Sequence, residues 1–94
     1  INDDVMDLEA LACLLLQRLA VSYPKALEER YRMTDLQAIQ EDGFAMLELL
    51  GRKRGMLISG GEVNTERAAI TLLDEFRSGK LGRITLELPE QEAL

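Results

Sequence analysis

Apolar residues recur at spacings of three and four along the start of the chain: Val5, Leu8, Ala12, Leu15 and Leu19, with Leu11 and Leu16 widening the stripe. That period predicts an amphipathic helix of about 16–18 residues with one buried face. Asn2, Asp3 and Asp4 offer N-caps with acid in the first turn, and the helix is expected to end before Tyr23, because a residue preceding proline is driven out of the helical region. Pro24 then suits the first position of a second, short helix, "PKALEERY".

Thr34-Asp-Leu-Gln37 has the spacing of a capping box and predicts a short third element. "EDGFAMLELLGRK" predicts a further helix with Phe44, Leu47 and Leu50 inward, weakened modestly by Gly43. Gly51 and Gly55 bracket Arg52, Lys53 and Arg54 at its end, where cations suit the helix dipole. Asn64 is the expected N-cap of a last helix, with Val63 stapling onto Ala68. That helix runs to Ser78 with Gly79 as its stop, and Ala69, Leu72, Leu73 and Phe76 form its buried face. "ITLEL" alternates and predicts an extended segment against the bundle, since a lone strand has no sheet to join. The pattern therefore predicts an all-α fold, a small bundle of four to five helices with an extended C-terminal tail.

Ninety-four residues make a single domain, 1–94, with one modest core. One cysteine, Cys13, in an apolar run and no histidine exclude a disulfide framework, leave too few good zinc ligands, and fit a reducing, cytoplasmic home. "ALACLLL" is too short to span a bilayer and follows acidic residues, so no membrane partner is expected. The net charge of −6 argues against a general nucleic-acid binder, but its distribution does not. Residues 1–50 hold four basic and ten acidic side chains, whereas 51–83 hold seven basic and four acidic ones, and Glu87, Glu90 and Glu92 close the tail. A basic middle between acidic ends presents one surface suited to phosphate.

In "SGGEVNTER", Gly60 and Gly61 allow either a corner between helices needing φ > 0 twice, or backbone N–H groups aimed at a phosphate, and the two are compatible. Arg67 points away from the buried face and has no acid three or four places along. Arg77 has Asp74 for a partner. A charge cluster of this kind is commonly just a solvated face. The unpaired Arg67, the run Arg52-Lys53-Arg54, and Arg77, Lys80 and Arg83 shift the balance toward a phosphate-contacting surface, with which the Gly60-Gly61 turn is compatible. No phosphate loop exists, because Gly79-Lys80 is followed by Leu81 with no glycine five places before. The carboxylates show no catalytic spacing, and Met6, Met33, Met46 and Met56 read as core filler.

The stretch from Lys53 to Glu87 resembles the C-terminal signature of the ribosome-biogenesis GTPase A family of circularly permuted GTPases. Lys53-Arg54-Gly55, Gly60-Gly61, Arg67 and Phe76-Arg77-Ser78-Gly79-Lys80-Leu81-Gly82-Arg83 carry the likeness. "DLEALACLLLQRLAVSYPKALEERY" is similar to the family's first helix, Tyr-Pro break and Glu-Arg-Tyr element. The resemblance implies a C-terminal helical domain that contacts ribosomal RNA in late assembly of the large (50S) subunit. Partners would be ribosomal RNA, the large subunit and the protein's own GTPase domain. GTP and Mg would belong to that domain, which is absent from this chain, so no catalytic, cofactor or metal residue is assigned here. Two other classes remain: a protein-interaction or dimerisation module using the acidic first half, and a helix-turn-helix DNA binder offering Glu66, Arg67 and Thr71 to a groove.

Overall fold

The computed structural model describes residues 5–85, with side chains from Asp7 onward. Four helices and one 3-10 turn follow one another: α1 (Val5–Ser22), α2 (Pro24–Tyr31), the 3-10 turn Leu36–Ala38, α3 (Gly43–Lys53) and α4 (Thr65–Arg77). The fold is all-α. The expected α1 start at residues 2–4 and the tail beyond Thr85, including Leu86 and Leu88 of the extended segment, lie outside the described residues.

α1, α3 and α4 pack against one another, and α2 folds back on α1. The core is aliphatic: Leu16, Leu19, Leu27, Leu47, Leu50 and Leu72 are fully buried. Each such side chain contributes about 1.5–3 kcal/mol over an exposed one. Thr65 at the start of α4 donates its hydroxyl to Glu9 of α1 at 2.6 Å. Tyr23 ends α1, its N–H donating to the Leu19 carbonyl, and Pro24 opens α2 at once. The Tyr23 hydroxyl accepts from the Thr85 N–H at 3.1 Å and donates to the Thr85 carbonyl at 3.0 Å. The first residues of the extended segment are thus fastened to the bundle, with Ile84 partly buried against the core.

Three expectations are corrected. Leu11 is 53% exposed and Phe44 47% exposed. Each lies about 100° of helical rotation from the centre of its helix's buried stripe, at the residue spacing of an α-helix. Met46, not Phe44, joins Leu47 and Leu50 inside. The capping box at Thr34 does not form. Asp35 takes the left-handed region (φ 57°) with no side-chain cap, because the chain reverses there to bury both Met33 and Leu36. Gly43, expected to weaken α3 modestly, is in addition a packing contact. It is buried against Cys13, where an added Cβ would stand 2.7 Å from the Cys13 Cβ and 2.8 Å from its carbonyl oxygen. Asp42 supplies the cap, its Oδ1 accepting from the Ala45 N–H at 3.0 Å.

Candidate nucleic-acid interface

α4 is built as its sequence predicts. Asn64 Oδ1 accepts from the Arg67 N–H at 3.0 Å, leaving the Arg67 side chain exposed. Ala68, Ala69, Leu72 and Leu73 are buried and Phe76 partly so. Val63 and Ala68 both lie against Gly51 of α3, so the seam between the two helices depends on a residue with no side chain. On the outer face, Arg67, Ile70, Asp74 and Arg77 follow one another at helical spacing. Arg67 and Arg77 stand about 15 Å apart along the axis at 1.5 Å per residue. Among the described residues Arg67 has no ion-pair partner. Arg77 does not pair with Asp74. Its Nε donates instead to the Leu73 carbonyl at 3.3 Å, in the last turns of the helix, where a cation suits the carbonyl end of the dipole.

Arg52 and Lys53 are exposed on the last turn of α3. After α4 the chain turns at Gly79 (φ 81°) and Gly82 (φ 100°). This buries Leu81 and leaves Lys80 and Arg83 exposed on either side of it.

Three of the expected contributors, Arg54, Gly60 and Gly61, are placed differently from these exposed cations. Arg54 is directed inward: its Nη2 lies 3.2 Å and 3.4 Å from the two carboxylate oxygens of Glu75, and its guanidinium sits over the Tyr31 ring at 5.0 Å. Gly60 and Gly61 do adopt positive φ (90° and 86°), as the corner reading requires. They form the tip of a small turn, not the start of α4. The Gly61 N–H donates to Ile58, the Ile58 N–H to Glu62, and Leu57 bridges Val63. Three residues separate the glycines from Thr65, and the Asn64 side chain caps the helix, so the glycines do not form a phosphate cradle at its N-terminus.

Glu75 is the residue that sequence reasoning missed. It is 9% exposed and accepts from Tyr31 Oη (2.8 Å), Arg30 Nε (3.1 Å) and Arg54. The Arg30 hydrogen bond, then that of Tyr31 and the charges of both arginines, hold its carboxyl at about 2 despite an opposing burial effect. Burial, then Glu75, pushes the Tyr31 phenol up. A signal existed: Glu75 falls seven residues after Ala68 and three after Leu72, on the apolar stripe itself. The thiol of Cys13 is raised by burial and then by Glu9 and Asp42, which disfavours nucleophilic chemistry.

No family profile matches the chain. Individual relatives do. It is 34% identical over 91 residues to ribosome biogenesis GTPase A of Bacillus cereus, covering 97% of this chain. It is 36% identical over 90 residues to that of Bacillus pumilus and 34% over 90 residues to that of Bacillus licheniformis, covering 96% of this chain in each case. The chain spans only about 30% of the length of these relatives. The aligned region takes in both the Tyr23-Pro24 break and the Lys53–Arg83 signature. Over this segment, the chain belongs to the ribosome biogenesis GTPase A family.

Proposed function

We propose that this chain is the RNA-docking helical domain of a GTPase that assembles the large ribosomal subunit. Nucleotide chemistry, with its GTP and magnesium, then belongs to a part of such a protein outside this segment, consistent with a chain matching under a third of relatives named as GTPases. The observation that carries the reading is the outer face of α4. Arg67 and Arg77 share it without an ion-pair partner among the described residues, and Arg52 and Lys53 at the end of α3 and Lys80 and Arg83 after α4 are exposed as well. Cations left unneutralised by a protein that is acidic overall suit a phosphate backbone, whose counterions they release on binding.

The test is a salt titration of binding to large-subunit ribosomal RNA fragments and to duplex DNA of equal length. Structured RNA should bind more tightly, and log affinity should fall with log salt by about 0.7–0.9 per neutralised phosphate. A preference for the duplex, or affinity indifferent to salt, counts against the reading.

A further inference from the structure

A cleft of about 530 Å³ lies between the end of α1, α2 and the segment 33–40. Its size is in the ~300–1,000 Å³ range of ligand sites. Ala20, Met33 and Leu36, all buried core residues, form its apolar floor, and Val21 and Pro24 form one rim. Its charged lining residues are Glu28 and Asp35, and no cation lines it. Among the described residues, neither carboxylate has an ion-pair partner. Two non-glycine residues at this end of the molecule, Arg32 (φ 61°) and Asp35 (φ 57°), are in the left-handed region. Arg32 there lets its own N–H reach Glu28 and the Met33 N–H reach Leu27, which turns Met33 into the floor.

We propose that this cleft takes a lysine- or arginine-bearing peptide segment of a protein partner, anchored by an apolar side chain on the floor. Charge complementarity selects the occupant. Two unneutralised carboxylates over an apolar floor repel an RNA backbone, and they match a segment that alternates cationic and aliphatic residues. The apolar component has room to extend, because Val21 is 66% exposed and Leu14, seven residues earlier on the same face of α1, is 61% exposed. The domain would then meet RNA at the outer face of α4 and basic protein at the α1–α2 end. This inference does not depend on the RNA reading.

The experiment titrates the isotope-labelled 94-residue chain with a short synthetic peptide of two leucines among four lysines, and follows backbone amide shifts. Shifts should be confined to residues 20–40. A peptide with glutamate in place of lysine should not bind, and one with glycine in place of leucine should bind at least tenfold more weakly. The double variant E28Q/D35N should lose at least tenfold in affinity, and asparagine tolerates the left-handed backbone that Asp35 adopts. E28Q alone, on the exposed face of α2, should lose several-fold and carries the test if the double variant is unfolded. Equal binding of the leucine-free peptide, shifts spread over the acidic surface, or unchanged affinity of the variants would overturn the proposal. So would cleft shifts produced by an RNA oligomer, or by raising the chain's own concentration without peptide.

Discussion

Arg54, the last cation of the basic run at the end of α3, is held 3.2 Å from Glu75 on α4 and takes no place among the outward-facing arginines. Its side chain is 29% exposed and that of Glu75 12%. Three donors from two other elements converge on this one carboxylate: Arg30 and Tyr31 from α2, and Arg54 from the end of α3. Helix α2, which packs mainly on α1, is thereby tied to α4 as well.

Glu75→Ala should therefore destabilise the fold by about 2–4 kcal/mol, since it leaves the buried Tyr31 hydroxyl without an acceptor and two guanidinium groups without their counter-charge. For a domain of this size, that corresponds to a fall in melting temperature on the order of 10–20 °C. A midpoint within about 3 °C of the parent, by circular dichroism, would show that the cluster does not hold α2 in place.

The same carboxylate predicts a pH profile. Its folded pKa, about 2, is depressed from 4.5. Its contribution is fully present above the unfolded value and is lost as pH falls from about 4.5 toward 2. Tyr31 is raised above its ordinary 10.0, so its contribution is complete below that value and declines as pH rises beyond it. Denaturant midpoints of the parent should fall across both windows. Glu75→Gln should flatten the acid limb, and identical acid limbs in parent and variant would refute the assignment.

Helix positions are legible in the sequence because local chemistry specifies them: Pro24 suits the first turn of a helix and no later one, and Asn64 caps where its side chain reaches an N–H. The exposed cations Arg52, Lys53, Arg67, Lys80 and Arg83 are legible for the same reason, since each lies off its helix's apolar stripe or in a turn. What escapes depends on neighbours. Nothing local distinguishes Arg54 from Lys53 until Glu75 approaches from α4, and Gly43 looks like a weak helix residue until Cys13 fills the place of its missing side chain. Leu11 and Phe44 read as inward from their apolar character alone, although their angular positions put them at the edge.

Gly43→Ala tests the Cys13 packing by the sign of its effect. Helix propensity alone would make alanine better by up to about 1 kcal/mol. The Cys13 carbonyl, 2.8 Å from the new Cβ, is backbone and cannot step aside. A destabilisation of about 1–3 kcal/mol from overpacking is expected. Gly60→Val is the companion case: nothing lies within 4 Å of its Cβ position, so only the positive φ is penalised. It should cost about 1–2 kcal/mol. Chemical denaturation of both variants decides the matter, and a stabilised Gly43→Ala would mean that α1 and α3 do not meet there.

The last prediction separates the structural arginine from the outward one. Arg67→Glu changes an exposed side chain with no ion-pair partner among the described residues, so its melting temperature should stay within about 2 °C of the parent, as for ordinary surface changes. Affinity for large-subunit ribosomal RNA should fall several-fold, and the salt slope should flatten by roughly 0.7–0.9 for each phosphate no longer neutralised. Arg54→Ala should do the reverse, lowering the melting temperature while leaving the salt slope of the folded fraction unchanged. Glu29→Lys, exposed on α2, alters net charge by the same amount as Arg67→Glu but with the opposite sign, and on a different helix. Its effect should be a weak gain, because exposed charges beyond about 8 Å are largely screened at physiological salt. If Glu29→Lys strengthened binding as much as Arg67→Glu weakened it, overall charge and not a defined face would govern RNA affinity. If Arg67→Glu bound like the parent, α4 would not be the docking helix.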